Sequence, residues 1–386
     1  MALLFRTFSA RFDLFLFTRG DALRACPWLS YFAPSALSSL QVGRIGLRRQ
    51  ILVMQTKRTH IIAEMACSHE GDPELARKII DGAGKAGADA IQFQIWDLKE
   101  MVVPHHPDYP MLTRIELSRD AWRELANYVR GRHPAMQIIA CVYERSSVDF
   151  AEEIAVDAYK IHSADLSNPV LINYVAQTGK RIDLSVGAST TGEIQSALEW
   201  IRADKNPETW LMYGYQGFPT PTDAINLNYM MKLKQLFELP VGYQDHSDAN
   251  LPAAFWLPAA ALGMGVDVLE KHITHDRSYK GIDHEAALNP DEFTRFVEMV
   301  REIEAARGHS TPNAFSPAEV KYRKYSKKSL VASRDLAEGH TIVPEDLLFM
   351  RADSLGLPPD QTERLVNRKI RRPIAAYHLV TEDDLI

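Results

Sequence analysis

Two histidines, His246 in GYQDHSD and His272 in VLEKHITHD, each stand three residues past the end of a short apolar run. Imidazoles at the ends of adjacent strands would lie within a few ångströms of each other. That suits a divalent metal with open positions for water or substrate. The alternative is that one or both simply hydrogen-bond in a polar loop. Asp283 lies in the loop that follows His272. Lys160 and Ser163 in YKIHSADLSN, with Ser185 and Gly187 in LSVGAS, read as an anion cradle of one fixed charge, hydroxyls and open backbone amides. Alternatively, Lys160 pairs with a carboxylate such as Asp165.

Other apolar runs end in the same way. One ends in Glu64, with Ser68, His69 and Glu70 just beyond it; another carries Gln92 and Gln94, two apart and so on one face of a strand. Gln216 and Phe218 end a third in YGYQGFPTP, Gln244 precedes His246, and Glu270 and Lys271 precede His272. Burying so many polar groups unpaired would be costly, so they are expected to face a wet, functional cavity. Neither GxxxxGK[ST] nor a placed GxGxxG occurs, which leaves no nucleotide-loop or dinucleotide fingerprint.

The elements that must position these groups alternate regularly from residue 58. Apolar, β-branched runs near 59–66, 89–95, 137–142, 157–161, 182–186, 209–213, 240–243 and 266–271 predict strands. Between them, apolar residues three and four apart predict helices, as in 73–88, 119–131 and 190–203. A last helix over 289–308 has Asn289 as N-cap and Pro290 in its first turn. Eight such units predict an α/β chain folded as a (β/α)8 TIM barrel over residues 55–308, with active groups at the carboxyl ends of the strands. A polar, Pro-containing stretch, 309–327, reads as a linker to a small, mostly β module over 328–386. Within that module LAEGHTIVPEDLL (336–348) aligns without gaps on IAAYHLVTEDDLI (374–386), either a repeated unit or chance likeness.

Composition narrows the function. Hydrophobic content of 46% with 24% charged residues is ordinary for a soluble globular protein. A net charge of −6 provides no basic field for nucleic acid. No apolar stretch reaches the roughly 20 residues that span a bilayer. Three cysteines without CxxC spacing suit a reducing, cytoplasmic setting. Residues 1–53 hold seven arginines, no lysine and two acids, the composition of an organelle transit peptide. The other reading is a spurious upstream extension, with Met54 as the true start.

Taken together, IIAEMACSHEGDPELARKIIDGAGKAGADAIQFQ, YKIHSADLSN, LSVGAS, FPTP, GYQDHSD and EKHITHD…GIDHEAALNP fall in the order and spacing of the sialic acid synthase family. The tail KKSLVASRDLAEGHTIVPEDLLFMRADSLGLP resembles that family's antifreeze-like (SAF) domain, so the resemblance covers residues 58–386. It implies a metal-assisted condensation of phosphoenolpyruvate with an N-acyl-mannosamine or related amino sugar, giving a nine-carbon acid and phosphate. By the same resemblance His246 and His272 would hold manganese or magnesium. Asp283 would bind the sugar, and Glu64 would handle a proton or position water. Lys160, Ser163, Ser185 and Gln216 match phosphoenolpyruvate-binding positions, and Gln94 a sugar-contacting one. Arg351 matches an arginine that reaches the partner's active site in a domain-exchanged homodimer.

Some positions depart from that pattern. Gln92 and Gln244 stand on the substrate-binding face where the family usually has lysine and serine, and Phe218 stands for tyrosine. A lost lysine contact is worth roughly 1.5–3 kcal/mol, so an altered but working synthase is expected. A metal-dependent barrel aldolase or sugar isomerase would need the metal without the anion cradle. A non-catalytic carbohydrate-binding or assembly protein would need neither.

Overall fold

The computed structural model describes residues 58–202, 207–309 and 311–386. The leader or extension read over 1–53 lies outside the described residues. The chain runs β1 (His60–Glu64), α1 (Pro73–Ala86), β2 (Ala90–Ile95), α2 (Leu98–Met101), α3 (Tyr109–Ile115), α4 (Arg119–Arg132), β3 (Gln137–Val142), α5 (Arg145–Glu153) and β4 (Ala158–Ile161). It continues through α6 (Pro169–Gln177), β5 (Arg181–Ser185), α7 (Thr191–Arg202), β6 (Thr209–Tyr213), α8 (Leu227–Phe237), β7 (Val241–Asp245), α9 (Ala253–Met264), β8 (Val268–His272) and α10 (Pro290–Arg307). Each strand pairs in parallel with the next, and β8 returns to β1 with Glu64 opposite His272. The expected closed (β/α)8 barrel is therefore present.

Local chemistry sets the helix ends. The Asn289 side chain and Glu292 form a capping box at the start of α10, with Pro290 at its first position. Thr190 and Glu193 cap each other's backbone amides ahead of α7, at 2.7 and 3.2 Å. No described helix is long and apolar enough to cross a membrane.

Strand alternation builds the barrel in layers. One set of side chains, including Ile61, Phe93, Tyr159, Leu184, Leu211 and Leu269, faces the helices in the main core. The other set points inward, where Ile62, Ala90, Ile139, Ala158, Trp210, Met212 and Val268 form an apolar plug. Two residues further along four of those strands come Glu64, Gln92, Lys160 and Glu270, and two beyond these stand Gln94, His162 and His272. The interior thus turns from apolar to ionisable toward the carboxyl ends. Close approach fixes Gly242 in this interior, because a Cβ there would meet Met212 Sδ at 2.4 Å.

The stretch read as a linker contains a helix, α11 (Pro317–Ser326), started by a Ser316–Glu319 capping box and with none of its residues buried. Sequence polarity was compatible with a solvated helix as well as with a loop. Beyond it β9 (Lys328–Ala332) and β10 (Leu347–Arg351) pair antiparallel over a core that includes Leu330, Ile342, Leu365, Ile370 and Val380. The two aligned segments adopt one design. Pro344–Asp346 and Glu382–Asp384 are both 3-10 turns, and Asp346 and Asp384 accept from the amides of Val343 and Thr381 at 3.0 Å each. Arg334 and Arg372 pair with these two aspartates at 2.7 Å each, and Leu336 bridges Ile374, so the repeat is structural.

Candidate active site

A cavity of about 230 Å³ opens at the carboxyl ends of the barrel strands, lined by twelve residues from Glu64 to Asp283. Nine sequence-expected residues meet there: Glu64, Gln94, Lys160, Ser185, Gln216, Gln244, His246, His272 and Asp283. Three do not. Gln92 lies one layer below, fully buried, with neither amide atom partnered. Ser163 opens the 3-10 turn after β4, off the cavity wall. Arg351 ends β10 in the C-terminal module and is exposed.

A buried charge cluster forms the floor. Lys160 Nζ donates to Glu270 Oε1 at 2.6 Å and lies 3.8 Å from Glu64 Oε2. Lys160 thus has a carboxylate partner, but it is Glu270 and not Asp165, which accepts from Asn168 at 3.0 Å. Burial opposes the ammonium, yet Glu270 and Glu64 outweigh it and raise the Lys160 pKa above its usual value. Gln244 ties the cluster to β5: Ser185 Oγ donates to its Oε1 at 2.9 Å, and its Nε2 donates to Glu270 Oε1 at 3.0 Å. The glutamine therefore bridges two strands that a serine would not span.

Glu64 is arranged to carry a proton. Burial is the largest influence on it, opposed by Lys160 and reinforced by Glu270, and the result is a pKa of about 8. The Ala66 amide and Gln94 Nε2 both donate to its Oε1, at 2.6 and 3.3 Å, while Oε2 has no partner. Two donors on one oxygen leave the acidic hydrogen on the other. Tyr143 hydroxyl donates to Gln94 Oε1 at 3.2 Å and so fixes which way that amide turns.

The two histidines come together as expected, with ring centroids 5.2 Å apart. Burial lowers both pKa values, so both rings stay neutral. His246 Nδ1 donates to the Tyr215 carbonyl at 2.8 Å, which leaves a lone pair on Nε2. His272 Nδ1 is buried without a partner. Phe218 packs on both, 4.3 Å from His246 and 5.6 Å from His272. Among the described residues no group of three or more His, Cys, Asp or Glu is gathered as a metal cluster. The protein's own donors here are two imidazoles.

Asp283 has φ 61° in the loop after β8, and burial raises its pKa to about 6. Glu70 holds that loop by accepting the Ile282 amide, and Arg114 pairs with Glu70 at 3.3 Å. The β1 loop residue Glu70 thus acts on position and not on substrate. His69 is buried, with its Nδ1 on the Gly71 amide at 3.0 Å.

Glu270 and Phe218, read as strand ends facing the cavity but given no role, line it as expected, and so does His162, which the sequence reading did not name. The signal for His162 was available: it is two residues past Lys160, so it shares a strand face with an expected residue.

With this geometry in view, comparison with known proteins decides the family. The NeuB family model matches residues 79–312 and the SAF domain model residues 327–386. The chain belongs to the NeuB family. It is 31% identical over 342 residues to the N,N'-diacetyllegionaminic acid synthase of Campylobacter jejuni, covering 84% of this chain and 100% of that protein. To the N-acetylneuraminate-9-phosphate synthase of Homo sapiens it is 29% identical over 341 residues, covering 84% and 90%. The crystal structure of N-acetylneuraminic acid synthetase from Leptospira borgpetersenii, in complex with citrate, matches with TM-score 0.63 at 28% identity, covering 69% of this chain and 92% of that one. This NeuB family member is thus a divergent relative of the sialic acid synthases, with the barrel and SAF domain both present.

Proposed function

We propose that this protein condenses phosphoenolpyruvate with an N-acyl-mannosamine-like amino sugar, giving a sialic-type nine-carbon 2-keto acid and phosphate. The carrying observation is the buried Glu64, Lys160 and Glu270 cluster beside two neutral histidines in one cavity. The names of the relatives, which are synthases of such acids, support it. A bond forms between C3 of phosphoenolpyruvate and the aldehyde carbon of the open-chain sugar. The aldehyde oxygen takes a proton, water adds at C2, and phosphate leaves as the ketone forms.

Glu64, protonated at neutral pH, supplies the proton to the developing alkoxide. Lys160, Ser185 and Gln216 bind the anionic partner, and Gln94 and Asp283 bind the sugar. His246 and His272 would hold manganese or magnesium, which when bound polarises a carbonyl as a Lewis acid. Two neutral imidazoles, one with its tautomer fixed, fit that role. A second copy of the chain would complete the site with Arg351. In favour of such a dimer, Leu348, Phe349 and Met350 of β10 and Val320, Tyr322 and Tyr325 of α11 are exposed.

The test is phosphate release from phosphoenolpyruvate with manganese or magnesium, against a panel of hexosamines and 2,4-diacetamido sugars. Release that requires one sugar and the metal, and is lost in His246→Ala and His272→Ala, supports the reading. Folded, metal-loaded protein that releases none with any sugar refutes it.

A further inference from the structure

His162 lines the cavity between Lys160 and the 3-10 turn that begins at Ser163. Its Nδ1 accepts the Ala164 amide at 3.2 Å, so in the neutral ring the proton sits on Nε2. That Nε2 has no partner among the described residues. The ring lies 5.8 Å from Tyr143 at 40°, and Tyr143 is itself bonded to Gln94, so the imidazole is held on two sides. Burial, with Lys160 adding, keeps it neutral with a pKa of about 4.

Apart from Gln216, the other side-chain donors named for the substrates are already engaged. Ser185 gives its only proton to Gln244, Gln244 and Gln94 each turn an amide proton onto Glu270 or Glu64, and Lys160 is bound to Glu270. A trianionic substrate entering this cavity meets one ammonium whose charge the Glu270 carboxylate already offsets. An oriented, uncharged N–H with no prior partner is a donor it can take without breaking that network.

We propose that His162 donates from Nε2 to an anionic oxygen of phosphoenolpyruvate and is a specificity-determining residue for that substrate, an inference that rests on the function proposed above. The resemblance assigned this position no role. His162→Ser keeps an oxygen to cap the Ala164 amide and removes the second donor, which separates capping from binding. Losing one neutral hydrogen bond raises KM for phosphoenolpyruvate about three- to tenfold, with kcat and the sugar KM unchanged.

A second readout does not depend on turnover. In protein labelled with 15N-histidine, the His162 ring, identified by its absence in His162→Ser, shows a proton on Nε2 and a shift when phosphoenolpyruvate is added. A proton on Nδ1, no shift on binding, or an unchanged KM in a His162→Ser protein that melts with the wild type overturns the inference alone. Wild-type protein that neither binds nor consumes phosphoenolpyruvate overturns the functional reading, and this inference with it.

Discussion

Replacing Lys160 by methionine removes the ammonium that lies 2.6 Å from Glu270 and 3.8 Å from Glu64, with all three side chains at most 4% exposed. At an effective dielectric of about 20, the Lys160–Glu270 charges attract by roughly 6 kcal/mol, and Glu64 adds to this only above its pKa of about 8. Desolvation cancels much of this, and losing one partner of a buried pair costs about 3–5 kcal/mol because the other charge stays behind. Lys160→Met and Glu270→Leu are each expected to lose that much stability. The double variant removes both charges, so its loss falls short of the sum by at least about 2 kcal/mol. The pH dependence carries a second signature. With Lys160 gone, the one charged neighbour that lowers it, the folded pKa of Glu64 rises further above both its wild-type value of about 8 and the unfolded value of 4.5. A carboxyl that binds its proton more tightly when folded stabilises most below its unfolded pKa, and that contribution is lost as pH rises toward the folded one. Lys160→Met should therefore lose more stability at pH 8 than at pH 5. Urea unfolding of the four proteins at both pH values, followed by far-UV circular dichroism, reads these quantities. Additive losses with the same pH dependence in all four would refute the coupled cluster.

Three further outcomes are expected. The pH profile of kcat/KM rises through about 6 as Asp283 ionises and falls through about 8 as Glu64 loses its proton, and Glu64→Gln abolishes the alkaline limb while lowering kcat. Gly281→Ala places a Cβ 2.5 Å from Glu70 Oε1, displaces the clamp on the Asp283 loop, and raises the acceptor-sugar KM about tenfold or more in steady-state assays. Asp346→Asn and Asp384→Asn each cost the C-terminal module about 1–3 kcal/mol in denaturant titrations. Hydrogen bonds outweigh burial and hold both folded pKa values below the usual 3.8, so the wild-type contribution is full above that value and is lost as pH falls through the lowered ones.

The barrel was legible because parallel strands buried on both faces write themselves as apolar runs, and the runs alternated with helical spacing eight times over. The helix α11 was not, since a helix with no buried face leaves no apolar period to read, and only the Ser316–Glu319 pair marked its start. At the site, the strand ends and the loops after them named eleven of the twelve lining residues, all but His162, because a polar group at the carboxyl end of a barrel strand has few other places to go. What spacing could not supply was the pairing across strands. Nothing local to Lys160 indicates that its partner is Glu270, 110 residues later, since the contact exists only once β4 and β8 face each other across a closed barrel. The same closure explains Gln244. Read along the chain it is a substitution that weakens an anion site; read across the barrel it links Ser185 to Glu270, and so it orders the carboxylate that neutralises Lys160. The two departures from the family pattern are therefore unlike each other. Gln244 is built into the cluster, whereas Gln92 sits beneath it with both amide atoms unpaired, and a position that is costly to occupy in this way is where further divergence from the synthases should be sought.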